Sequence, residues 1–308
     1  MSRPAHDAPV VVAGATGHVG SALVDRLVED GRNVRCLARD PAKLASRRDR
    51  IEVFQADLRD RSDVRAAFVE GAVAYFLVHA LSAPGGPADE ERRLAESFAD
   101  AARDARAARI VYLGGLVDES GEDLSEHMSS RIEVGRLLRA SGVQTLEFRA
   151  SIVVGAGSFS FELIRRLVDW LPVLVLPSWA DNLAQPIALA DVVSYLQAGA
   201  DADVEGDAVF EIGGAEQITY RGLIGAYADA IGAGNATLSV PVPDAAAEAA
   251  GKLAAPLAGR LPPDAQEALK LFESLRHTTI VRDRSAERFD VRPMTVEAAI
   301  AAALDAGR

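Results

Sequence analysis

A β-branched run meets a glycine-rich turn near the start of the chain, Val10-Val11-Val12-Ala13-Gly14-Ala15-Thr16-Gly17-His18-Val19-Gly20. Val10 to Val12 are apolar at every position, as in a strand buried on both faces. Ala22, Leu23, Leu27 and Val28 then recur at helical spacing, and Gly31 is placed to stop the helix. The three glycines therefore fall on a strand-to-helix turn. Glycine there lets the chain turn tightly and lets a pyrophosphate approach peptide N–H groups, while the helix N-terminus adds partial positive charge. The spacing is G-x-x-G-x-x-G rather than G-x-G-x-x-G. The turn predicts nucleotide binding through Gly14, Thr16, Gly17, His18, Val19 and Gly20. The plain alternative is a structural turn.

Strands and helices alternate after it. Asn33–Ala38 is expected as a second strand, ending at Arg39 with Asp40-Pro41 beyond. An NAD site expects an acid near this strand end to hold the ribose hydroxyls. Arg39 instead suits a 2′-phosphate through charge-assisted hydrogen bonds, which points to NADP(H) over NAD. The alternative is a solvated surface arginine. Ile51–Gln55 is expected as a third strand, ending in Ala56-Asp57-Leu58; Asp57 either bonds the adenine amino group or caps the next helix, where Ser62 competes. Val73–Val78 reads as a central fourth strand, running into His79-Ala80-Leu81 and a Pro/Gly loop. Strand ends line the cofactor crevice of an open parallel sheet, so His79 and Ala80 are candidates there; a satisfied histidine at a strand end is the alternative. Helices are expected over Asp63–Glu70, Asp89–Ala107 and Glu126–Ala140, and strands over Arg109–Leu113 and Gln144–Arg149. The class is α/β: a doubly wound, Rossmann-type parallel sheet.

From Ser151 the alternation fails. Helices are expected over Ser158–Trp170, Ala190–Ala198 (opened by Asp191), Tyr220–Ala230 and Thr295–Leu304, with strands at Val173–Leu176 and Ala208–Ile212 and two short helices within Pro241–Ala268. The expected organisation is a flexible tail over 1–8 and a nucleotide-binding domain over 9–155, to which 185–214 returns strands. A smaller, mainly helical C-terminal substrate lobe covers 156–308. A cleft between the lobes is the default substrate site. Phe159, Phe161, Trp170 and Trp179 would wall it or pack in the core.

Net charge of −12 argues against nucleic acid as a partner. The lone Cys36 suits a reducing compartment, the five histidines are scattered without a C-x-x-C, and no metal site is legible. The polar N-terminus carries no signal core, and the apolar stretch Leu171–Leu176 is short and broken by Pro172 and Pro177, so a cytoplasmic protein without membrane association is expected.

These residues resemble an extended or atypical short-chain dehydrogenase/reductase, in its NmrA-like branch. The carriers are the glycine turn, Ala56-Asp57-Leu58, Val111-Tyr112-Leu113-Gly114-Gly115-Leu116, Ser130-Arg131-Ile132-Glu133-Val134-Gly135, Leu138-Arg139-Ala140-Ser141-Gly142, Arg149-Ala150, and Pro186-Ile187 through Asp191-Val192. The resemblance implies a Rossmann domain and an NADP(H) site built from the glycine loop, Arg39, Asp57 and the residues after the fourth strand. It also implies a catalytic Tyr, a Lys four residues on, and a Ser at the end of the fifth strand. His127 and Arg131 stand at the Tyr and Lys positions, and Gly114 or Gly115 at the Ser. His127 can donate a proton; Arg131 can hold ribose or phosphate but cannot exchange a proton near neutral pH. Two functions follow. One is an NADPH-dependent oxidoreductase of a small carbonyl, quinone or unsaturated substrate. The other is a non-catalytic NADP(H) sensor that binds a protein partner. An epimerase or dehydratase of sugar nucleotides is disfavoured by the missing Tyr and Lys.

Overall fold

The computed structural model describes residues 8–79, 87–117, 124–170, 176, 178–233 and 277–307. Its centre is a seven-stranded parallel sheet: β1 (Val10–Ala13), β2 (Val34–Ala38), β3 (Glu52–Gln55), β4 (Val73–Phe76), β5 (Arg109–Gly115), β6 (Thr145–Ala150) and β10 (Ala208–Ile212). The strand order is β10-β6-β5-β4-β1-β2-β3. The order reverses between β1 and β4, which opens a crevice at their carboxyl ends.

Helices cover both faces. α1 (His18–Glu29) and α6 (Leu189–Ala200) bury Leu23, Leu27, Val192 and Leu196 against Val10, Val12, Tyr75 and Val111. α2 (Arg61–Ala66), α3 (Pro87–Asp104) and α4 (Glu126–Arg139) bury Val64, Leu94, Phe98 and Leu138 against Val11, Ala13, Phe76 and Ile110. Strands sandwiched in this way need apolar residues at every position, which is why β1 reads as an unbroken valine run. α1 ends where Gly31 enters the left-handed region at φ +75°, with the Gly31 and Arg32 N–H groups closing on Val28 and Leu27 carbonyls.

A third apolar cluster lies beyond the sheet. α5 (Phe159–Trp170), α7 (Tyr220–Ala230) and α8 (Val296–Ala306) gather Phe161, Leu223, Tyr227 and Ile300. Two small pairings serve it: β7 (Val153–Val154) with β9 (Ile187–Ala188), and β8 (Leu183–Ala184) with β11 (Ile218–Thr219). Only β9 was expected, where the resemblance implies a later strand at Pro186-Ile187; the other two-residue strands leave no alternation in sequence. Phe161 meets Tyr227 edge-on at 5.5 Å and Trp179 meets Tyr220 at 6.2 Å, so both pack in the core. The side chains of Phe159 and Trp170, the strand expected at 173–176 apart from Leu176, and the helices expected within 241–268 lie outside the described residues.

Two capping expectations are corrected. Asp60, not Asp57 or Ser62, caps α2, accepting from the Ser62 N–H at 2.8 Å. Asp57 accepts from the Arg59 N–H at 3.0 Å instead. α6 begins at Leu189 with no side-chain cap, and Asp191 is buried within its first turn, accepting from the Met294 N–H at 2.8 Å.

A Cβ at Gly20 would stand 2.1 Å from the Gly14 carbonyl oxygen. Neither backbone can yield without moving α1 off its strand. Gly20→Ala is expected to destabilise the fold by ~1–3 kcal/mol, the usual range for overpacking. Urea unfolding measures it, and an unshifted midpoint would mean that the turn relaxes freely.

Candidate active site

The crevice starts at the glycine turn. Gly14 holds φ +89°, and a Cβ there would lie 2.6 Å from the Leu77 carbonyl oxygen, so the turn rests directly on the end of β4. Thr16 and Gly17 are exposed at the start of α1, and Gly17 occupies the N-cap without a side-chain hydrogen bond. The first-turn N–H groups are thus left uncapped by any side chain, which favours an anion. A Cβ at Gly17 would meet only the Gly14 oxygen at 3.2 Å. Val19 is half-buried and packs on the sheet core. His18 is half-buried against the 155–157 loop, where a Cβ at Gly155 would lie 3.1 Å from its Nε2. Burial lowers its pKa, against the pull of Glu162.

The rim beyond β2 is clasped to α1. Arg39 is exposed at the strand end, and Asp40 caps the 3-10 segment Pro41–Arg47, accepting from the Ala42 N–H at 3.0 Å. At the far end of that segment Arg47 donates to both Asp25 oxygens, at 2.7 and 2.6 Å, and to Ser21 Oγ at 2.8 Å. The hydrogen bond from Arg47 holds the Asp25 carboxyl below its ordinary pKa. Leu58, after β3, is buried in the core face shared with α2 and α3.

A polar cluster fills the end of β4 on the other side. His79 is hydrogen-bonded through Nδ1 to Glu91 of α3, and the His127 ring of α4 stacks on it with centroids 4.7 Å apart and planes at 29°. Ser130 Oγ donates to the second Glu91 oxygen at 2.5 Å. Glu91 is only 2% exposed. Burial would raise its carboxyl, but the hydrogen bonds from His79 and Ser130 and the charge of Arg131 outweigh it and hold it at about 2. Burial, then the charges of His79 and Arg131, push the His127 imidazole down to about 3. The Arg131 guanidinium lies 4.9 Å over the Tyr112 ring and donates to the Leu113 and Val78 carbonyls, stitching the ends of β4 and β5 to α4.

The structure therefore gathers His79, His127 and Arg131 around Glu91, which sequence reasoning missed together with Ser130. Ala80 lies outside the described residues. Gly114 is explained by packing: a Cβ there would stand 3.1 Å from Oε1 of buried Glu147, which is ion-paired to Arg139 and Arg149.

Comparisons with known proteins bear on the nucleotide-binding half and on the fold. Residues 14–151 match the profile of an NAD(P)H-binding family. Dihydroflavonol 4-reductase of Hordeum vulgare is 37% identical over 79 residues, 23% of this chain and 22% of that reductase. Triphenylmethane reductase of a Citrobacter species superposes with a TM-score of 0.75 at 14% identity, covering 96% of this chain and 99% of that one. A nucleoside-diphosphate-sugar epimerase of Staphylococcus aureus does so with a TM-score of 0.74 at 16% identity, covering 95% and 99%. Residues 14–151 thus match an NAD(P)H-binding profile, and the chain shares the fold of this reductase and this epimerase. Among the described residues no helix is long and apolar enough to cross a membrane.

His127 sets a pH dependence of stability. Between about 3 and its ordinary 6.5 the unfolded chain binds a proton that the folded one refuses, so stability falls as pH drops through that window. The slope attributable to one such group is up to ~1.4 kcal/mol per pH unit. Glu91 adds acid sensitivity only below about 4.5, as its folded value of about 2 is approached. Urea unfolding between pH 7 and 5 avoids the Glu91 range but includes His18, whose pKa is also lowered, so the variant makes the distinction: His127→Asn is expected to reduce the slope, and an unchanged slope would remove His127 as a contributor.

Proposed function

We propose that this protein is an NADPH-dependent reductase of a small carbonyl, quinone or unsaturated substrate. The observation that carries this is the meeting of two features at one crevice. The uncapped N-terminus of α1, with its glycine-rich turn, touches the end of β4, and two residues further on the chain bears the His79–Glu91–His127 cluster. The cradle fits a dinucleotide pyrophosphate because a Cβ would fill Gly14 and Gly20 while Thr16 and Gly17 stay open. When bound, the reduced nicotinamide supplies hydride to the substrate. The chain's own residues then have separate tasks. The first turn of α1 and Gly17 hold the diphosphate. Arg39, exposed at the end of β2, pairs with the 2′-phosphate, while one oxygen of the neighbouring Asp40 is engaged in its own cap. Arg131 fixes the ends of β4 and β5, and the cluster around Glu91 handles the proton.

Arg39→Ala is expected to weaken NADPH binding by roughly ten- to hundredfold while leaving NADH binding nearly unchanged, the size of one charge-assisted contact. Equal affinity of the unsubstituted protein for the two dinucleotides would remove the NADP assignment.

Gly17→Val should fold, because the backbone there is extended at φ −78° and a Cβ meets only one atom. Its branched side chain would occupy the diphosphate position and abolish binding of both dinucleotides by calorimetry. A folded Gly17→Val protein of normal affinity would make the turn structural only. Screening NADPH oxidation against quinones, aldehydes and enones tests the reaction. If no substrate is turned over by a protein that binds NADPH, the reductase assignment falls.

A further inference from the structure

His127 stands at the position where the resemblance places the proton donor, but the geometry points to its neighbour. We propose that the His79–Glu91 pair at the end of β4 is the proton source of the site, with Glu91 as the positioning residue that keeps the His79 imidazole charged. The proposal rests on the reductase assignment and names the group that completes its reaction.

Among the described residues, two helices bring groups to His79. Glu91 of α3 takes its Nδ1 hydrogen, and Ser130 of α4 takes the other carboxylate oxygen, so Glu91 is fixed from both sides. Arg131 of α4 adds positive charge near Glu91, and His127 of α4 covers one face of the ring. The phenol of Tyr112 on β5 is turned away, donating to the Arg131 carbonyl at 3.0 Å. A buried carboxylate bonded to imidazole favours the imidazolium. It also fixes which nitrogen faces the carboxylate, so Nε2 is the acidic edge. The His79 side chain is 33% exposed, against 3% for Glu91, so the pair has one wet end and one dry end. Among the described residues no carboxylate is hydrogen-bonded to His127, and burial pushes its imidazole toward the neutral form. It serves as the apolar wall that lays the His79 ring flat.

In the step itself the substrate carbonyl gains hydride at carbon. The Nε2–H bond of His79 breaks, an O–H bond forms at the carbonyl oxygen, and the neutral imidazole takes a proton back from water. The ion pair with Glu91 is thereby lost and regained once per turnover.

Histidine NMR on the cofactor-free protein reads the charge state without turnover. His79 is expected to titrate above the ordinary ~6.5, and Glu91→Gln to lower that midpoint by about 1–3 units, the size of an opposite charge at hydrogen-bond range. His127 should stay neutral throughout. With NADPH and the best substrate from the quinone, aldehyde and enone panel, kcat should fall as pH rises through the His79 midpoint, where the donor loses its proton. His79→Gln should cut kcat by about 10²–10⁴-fold with NADPH affinity nearly unchanged. Glu91→Gln should move the pH profile down by the NMR shift, and Glu91→Asp should restore part of it. Should Glu91→Gln not fold, the unsubstituted protein still decides. A His79 midpoint at or below the ordinary value overturns the proposal. So does an active enzyme indifferent to His79→Gln, with the reductase assignment left standing. A charged His79 in a protein that binds NADPH but oxidises it with nothing overturns both.

Discussion

The contact between the Gly14 turn and the end of β4 involves backbone atoms alone. Neither Gly14 nor Gly20 has room for a Cβ, the first because of Leu77 and the second because of the Gly14 carbonyl. The close approach puts the start of α1 beside β4 at the point where the strand order reverses. Every other feature of the crevice inherits its place from this. β4 can carry His79 to the cradle only because the turn is already there, and α3 and α4 reach the same spot because they cross the opposite face of β4 and β5. A larger residue at either glycine would separate the start of α1 from the end of β4 and the His79–Glu91 pair.

The charges on the α3–α4 face follow one rule. Glu91 and Glu147 are 2% and 1% exposed, and each is met by more than one donor: His79 and Ser130 for the first, Arg139 and Arg149 for the second. Buried carboxylates persist when their lone pairs are satisfied, and removing one partner is far more damaging than replacing the whole group. The Glu147 cluster displaces side chains at Gly114 and Gly135, where a Cβ would lie 3.1 and 2.4 Å from a carboxylate oxygen. It is an interior ion network that dictates glycine in its neighbours. The Glu91 cluster differs in having one partner at the surface.

The alternation of strands and helices through Ala150 was legible because buried parallel strands are apolar throughout and α1 announces its end with Gly31. Most boundaries moved by a residue or two, but α2 ends four residues and α3 three residues before the expected ends. The glycine turn and Arg39 could be placed because chain order alone brings them to strand ends. Glu91 could not, although a signal existed. It lies three and seven residues before Leu94 and Phe98 and so on the buried stripe of α3, a carboxylate where a core residue belongs. Period alone does not say which partner waits there, because His79, Ser130 and His127 come from elsewhere in the chain. The pairings β7–β9 and β8–β11 were illegible for a simpler reason. Two residues have no period, and their stability comes from the apolar cluster beneath them.

The clasp between Arg47 and α1 bears on kinetics. Arg47 spans from the segment after Arg39 to Asp25 and Ser21, so the rim that would meet the adenosine end of a dinucleotide is tied down before any ligand arrives. A preformed rim loses little conformational freedom on contact, and its encounter rate is set by diffusion and orientation rather than by loop closure. Discrimination at this end of the crevice would then be expressed as residence time: two dinucleotides would arrive at similar rates, and the better matched one would leave later.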